Sequence, residues 1–170
     1  MLKFITRTLF MLLATLALAH AQDYPNKSIT VIVPFAAGGN TDTIARLTAE
    51  RLNAAIPGSS FVVENQPGAG GIIGAELGAR AAPDGYTLFF GGTASLSINP
   101  GLRAKLPYDP IKDFAPISTA TRTIGYVLAV HPSIPAHSVT DLIAMAKKSP
   151  GKLNYANTGH GGVIWVAQET

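Results

Sequence analysis

The residues with the best claim to chemistry stand in a short glycine-bearing run, Pro34-Phe35-Ala36-Ala37-Gly38-Gly39-Asn40-Thr41-Asp42. It follows the apolar and β-branched stretch Ile29–Val33 and precedes a helical pattern. Glycine lets the backbone approach a ligand with no side chain in the way and permits positive φ. A helix start adds free N–H groups and the positive end of its dipole. Such a nest, built on Gly38 and Gly39, suits a carboxylate or a phosphate. Asp42 cannot attract an anion directly. It suits helix N–H groups, a bridging water or a ligand ammonium. The same run also reads as a plain strand-to-helix turn with Asp42 as a first-turn acid.

Three further runs repeat the theme. Gly68-x-Gly70-x-x-x-Gly74 invites a dinucleotide reading. However, Pro67 intervenes and no acid stands about twenty positions on, as that fingerprint requires. An anion-binding helix start at Gly70 and Gly71 fits better. Gly91-Gly92-Thr93-Ala94-Ser95 follows a strand's carboxyl end, where open α/β sheets hold ligands. The hydroxyls of Thr93 and Ser95 suit a carboxylate there, or simply cap a turn. Gly159-His160-Gly161-Gly162 has the look of an esterase oxyanion turn, yet the chain contains no Gly-x-Ser-x-Gly elbow. His131, His137 and His160 lack metal-ligand spacing, and there is no cysteine. No nucleophile, base and orienting acid come together. No catalytic residue, metal or cofactor is therefore expected.

The elements that must position these runs alternate. Strands are expected at Ile29–Val33, Phe61–Glu64 and Tyr86–Phe90, with further strands at Tyr126–Val130 and Leu153–Ala156. A helix is expected from Asp42, its apolar side formed by Ile44, Leu47, Leu52 and Ile56, capped by Asn40 or Thr41 and stopped at Pro57-Gly58. Others are expected at Ile72–Ala82, from Ser138 with Asp141 in a capping-box position, and from Val163. Asn99–Pro116 carries four prolines, which argue against a long helix there. The sum is an α/β fold with a mainly parallel sheet.

Composition narrows the function classes. The chain has 170 residues, 47% apolar and 14% charged, which excludes a disordered tail. Residues 1–21 hold Lys3 and Arg7, a short apolar run and Ala19-His20-Ala21, the features of a secretory signal peptide cleaved before Gln22. The remainder carries 11 basic and 10 acidic residues, with no basic cluster longer than Lys147-Lys148. Nucleic-acid binding thus has no electrostatic footprint.

Taken together, several motifs resemble one family. They are Tyr24-Pro25 through Asp42-Thr43-Ile44-Ala45-Arg46, then Val63-Glu64-Asn65-x-Pro67-Gly68-Ala69-Gly70-Gly71 and Pro83-Asp84-Gly85-Tyr86-Thr87-Leu88. Ile98-Asn99-Pro100, Leu106-Pro107-Tyr108-Asp109-Pro110, Lys112-Asp113-Phe114 and Pro150–Ala156 continue the pattern. The chain so resembles the Bug-type extracytoplasmic receptors of tripartite tricarboxylate transporters across residues 24–162.

The resemblance implies a periplasmic-binding-protein-like α/β receptor with two domains, of which this chain is the N-terminal half. Residues 22–122 then form domain 1 without its return segment, and 123–170 begin domain 2. The resemblance also implies two opposing ligand loops, one at Phe35, Ala37, Gly38, Gly39 and Asp42 and a second at Thr158, Gly159, Gly161 and Gly162. Gly162 and Trp165 stand where the family commonly has Ser and His. The implied ligand is a small carboxylate: an amino acid, a di- or tricarboxylate, or an aromatic acid. The implied partners are membrane transporter subunits, and the full-length receptor is expected to be monomeric and periplasmic. An α/β enzyme acting on an acyl or phosphoryl substrate, or a receptor fragment without function, are the alternatives.

Overall fold

The computed structural model describes residues 24–122, 125–156 and 164. The expected leader at residues 1–21, the loop Thr158–Gly162 with His160, Trp165 and the expected helix from Val163 lie outside the described residues, Ile164 excepted.

Three parallel strands form one sheet in the order β2-β1-β3. They are β1 (Ile29–Val33), β2 (Phe61–Asn65) and β3 (Thr87–Phe89). β1 pairs with β2 in the register Ile29↔Phe61 to Val33↔Asn65, and with β3 from Thr30↔Thr87 to Ile32↔Phe89. Val31, Ile32 and Val33 are consecutive and all buried. Layers cover both faces of the central strand, as its unbroken apolar run requires. On the edge strand β2, half-buried and exposed residues alternate instead.

Helix α1 (Asn40–Ala55) follows β1. Its buried side is Asp42, Ala45 and Ala49. Leu47 and Ile56, expected on that side, are exposed. The spacing of three and four residues is right, but the inward stripe is built from small residues, which let the helix backbone lie close to the sheet. The cap also differs from the expectation at Asn40 or Thr41. Gly39 is the N-cap, and no side chain caps the helix.

Helix α2 (Ile72–Arg80) is entered through the left-handed turn Ala69–Gly71. Its close approach to the sheet rests on Gly74. A Cβ there would stand 2.8 Å from Pro34 Cα and 2.9 Å from the Gln66 carbonyl oxygen. After β3 a π-turn (Ala94–Ile98) runs into the short helix α3 (Asn99–Leu102). Among the described residues, this four-residue helix is the only α-helix over 99–116, so the prolines exclude a long one as expected. Pro100 sits in the first helical turn, where its missing N–H costs nothing. Ile72, Ala75 and Tyr108 form a buried cluster, with Phe89, Leu106 and Phe114 packed on it.

Helix α4 (Val139–Lys148) begins as expected at Ser138, whose Oγ accepts from Asp141 N at 3.1 Å. The Asp141 carboxylate reaches back to His137 N at 3.1 Å. The strands expected at Tyr126–Val130 and Leu153–Ala156 do not form. Both segments lack ladder partners among the described residues, and Val127 is 93% exposed. A β-rich composition makes a strand only where a neighbour accepts its hydrogen bonds. No helix of the described residues is long and apolar enough to cross a membrane.

Candidate functional site

In a parallel sheet, all strands deliver their loops to the same end. The loops after β1, β2 and β3 meet at that end around Gly71. A Cβ placed on Gly71 would contact Pro34 Cβ at 3.5 Å, the Phe35 ring at 3.6 Å and Ser95 Cβ at 3.7 Å. Two atoms of the β1 loop and one of the β3 loop thus reach the same point of the β2 loop. Gly71 has φ +92°, and it follows Gly70 at φ +65° and Ala69 at φ +49°. This is the left-handed region that glycine adopts without a Cβ penalty.

The β1 loop is anchored at Pro34, which is fully buried, and its Phe35 is half-buried. Ala36 to Asn40 are exposed. Gly38 takes φ +81° and donates its N–H to Asp42 Oδ2 at 2.8 Å. Gly39 has an ordinary φ of −75°. The first helical bond runs from Thr43 N to Gly39 O at 2.9 Å. The amides of Asn40, Thr41 and Asp42 precede it and have no intrahelical acceptor, as the first turn of a helix dictates. With no side-chain cap, this helix start can receive an anion.

Asp42 is turned into the protein. It is 3% exposed, and both carboxylate oxygens are occupied. Besides Gly38 N, Oδ2 accepts from Arg46 Nε at 3.1 Å. Oδ1 accepts from Asn65 Nδ2 at 2.9 Å and lies 3.0 Å from Arg46 Nη2. The Arg46 guanidinium, then the Gly38 amide and the Asn65 amide, hold the carboxyl at about 2, against the usual 3.8, with burial opposing them.

The β2 and β3 loops are tied down from behind. Asn99, fully buried, donates Nδ2 to Gly70 O at 3.0 Å. Tyr108 donates its hydroxyl to Ser95 O at 2.6 Å, and burial pushes its pKa up. Ser95 is also fully buried, and its hydroxyl serves its own turn, accepting from Gly92 N at 3.3 Å and donating to Gly92 O at 3.1 Å.

The sequence-derived candidates thus divide by position. Phe35, Ala37, Gly38, Gly39 and Thr93 stand at or near the open rim, while Asp42, Gly70, Gly71 and Ser95 are built into the walls. Thr158, Gly159, Gly161 and Gly162 lie outside the described residues. Residues that sequence reasoning did not single out as site residues, Arg46, Asn65, Asn99 and Tyr108, hold the loops in place. The Asp42–Arg46 spacing of four on a helix was a signal for one of them. No group of three or more His, Asp or Glu suited to a metal occurs among the described residues.

Comparison with known proteins places the chain in a family and a fold. The family described as tripartite tricarboxylate transporter family receptor matches residues 44–170. A UPF0065 protein of Bordetella pertussis is 39% identical over 165 residues, covering 92% of this chain and 50% of the relative. The chain spans about half the length of the curated relatives it matches. A solved periplasmic transporter is 45% identical with a TM-score of 0.75, covering 86% of this chain and 48% of its own. Two Rhodopseudomonas palustris structures, one with adipate and one, MatC, with bound malate, are each 36% identical with TM-scores of 0.68. Each covers 82% of this chain, and 46% and 47% of their own lengths respectively. The fold is that of periplasmic binding proteins.

Proposed function

Because the chain belongs to the tripartite tricarboxylate transporter family of receptors, we propose that it supplies one wall of a periplasmic solute-binding site that grips a small carboxylate. Dicarboxylates are the favoured class. The observation that carries this reading is the uncapped start of α1 beside the meeting point of three loops at Gly71. A carboxylate there meets backbone N–H groups and a helix dipole. Arg46 does not serve as its counter-ion, since that guanidinium is spent on Asp42 and Asn65. The adipate and malate in the two R. palustris relatives support the ligand class.

On this reading residues 1–21 direct export, residues 22–122 belong to the first domain and 123–170 open the second. Thr158–Gly162 then closes on the ligand from the opposite side, and membrane transporter subunits receive the loaded, monomeric receptor. The test is calorimetry with malate and adipate against their dimethyl esters. A charge-assisted hydrogen bond is worth about 1.5–3 kcal/mol, so the esters should bind at least about tenfold more weakly. Esters that bind as tightly as the acids refute the carboxylate site.

A further inference from the structure

Ala36 to Asn40, the ligand-facing stretch of the β1 loop, are exposed, so packing does not fix their conformation. Hydrogen bonds to both ends of the loop do. At its start, the Phe35 carbonyl accepts from Asn65 Nδ2 at 3.0 Å. Near its end, the Gly38 amide donates to Asp42. One side chain joins the two ends. Asn65 Nδ2 donates to Asp42 Oδ1 as well as to Phe35 O, and Asn65 Oδ1 accepts from Arg46 Nη2 at 2.9 Å. Both amide hydrogens and the amide oxygen are therefore used. Asn65 is the last residue of β2 and pairs with Val33, the last residue of β1. Its side chain thus carries the register of the sheet directly into the loop.

We propose that Asn65 is the positioning residue of the ligand loop, acting with Asp42 and Arg46 as a latch that sets the backbone geometry of Phe35–Gly39. This rests on the carboxylate-site reading above. The chemistry of the latch is specific to its three members. Asp42 needs donors on both oxygens, and only a planar fork such as Arg46 can serve both oxygens and still reach Asn65. An aspartate at position 65 would remove both donors and face Asp42 with a like charge. An alanine would leave the Phe35 carbonyl without its side-chain partner.

The test is Asn65→Ala in the full chain, with two readouts. Amide hydrogen exchange at Gly38 should accelerate at least about tenfold, while Val31–Val33 keep their protection, because local opening is separable from unfolding of the sheet. Calorimetry with malate and adipate should show affinity falling at least about tenfold. Arg46→Gln, at a half-exposed side chain, should move both readouts in the same direction and guards against a variant that does not fold. Unchanged exchange at Gly38 overturns the latch. So does acceleration at Gly38 and Val31–Val33 together, which marks Asn65 as a residue of general stability. So does wild-type affinity in Asn65→Ala where the wild type binds a probe. If the wild type binds neither probe, the carboxylate reading fails, and the exchange at Gly38 alone decides the latch.

Discussion

Replacing Gly74 tests how closely helix α2 must approach the carboxyl end of the sheet. A Cβ at this position would stand 2.8 Å from Pro34 Cα, 2.9 Å from Gln66 O and 2.9 Å from Pro34 Cβ. Two of the three atoms are backbone and the third belongs to a fully buried proline ring, so none can swing aside. Carbon atoms rest at about 3.5–4.0 Å. The helix or the β1 exit must then yield by roughly 0.7–1.2 Å. Overpacking of this kind costs about 1–3 kcal/mol. Alanine returns about 0.8–1 kcal/mol through helix propensity, leaving a net loss of about 1 kcal/mol for Gly74→Ala. Valine returns less and clashes more, so Gly74→Val should lose about 2–3 kcal/mol. In a thermal melt, each kcal/mol lowers Tm by about 2–4 °C for a chain of this length. Gly101→Ala is the control, because nothing lies within 4 Å of its Cβ position. It should melt at or slightly above the wild type. A flat or rising series Gly, Ala, Val at position 74 refutes the close-approach argument, as does an equal loss in the control.

Two neighbouring glycines should behave in opposite ways. Gly38→Ala forces a side chain into φ +81°, costing about 1–2 kcal/mol, whereas Gly39→Ala at φ −75° should be neutral or gain up to about 1 kcal/mol; equal urea midpoints would contradict this. Asp42, held at about 2 in the folded protein against 3.8, contributes stability that is complete above pH 3.8 and fades as the pH falls towards 2. A carboxyl titration followed by nuclear magnetic resonance should find that low midpoint, and an ordinary value would show that the fork from Arg46 does not persist in solution. Periplasmic protein should begin at Gln22 on N-terminal sequencing, and an intact Met1 would count against a cleaved leader.

Much of the fold could be read from the residues alone. The apolar and β-branched run Ile29–Val33 pointed to a strand covered on both faces, and β1 is that central strand. Ser138 with Asp141 marked the start of α4 one turn ahead of its apolar residues. Gly38-Gly39, Gly70-Gly71 and Gly91-Gly92 marked the loops because glycine run against strand end is a local pattern. Strand formation is not local. Tyr126–Val130 is as apolar as β1, yet lacks a ladder partner among the described residues.

Within the loops, sequence assigned chemistry by residue type, and tertiary structure decided which way each group faces. Asp42 and Ser95 looked available to a ligand, and each is buried with its polar atoms engaged. Asn65, Asn99 and Tyr108 stand within the family motifs, but nothing in their type or spacing marks them for the site. They matter because parallel pairing brings the end of β2 beside the end of β1, and because α3 packs behind the β2 loop. Spacing along a helix or strand fixes which residues share a face. Which groups meet across thirty or sixty positions is set by the sheet order β2-β1-β3, a long-range outcome that one-dimensional periodicity does not contain.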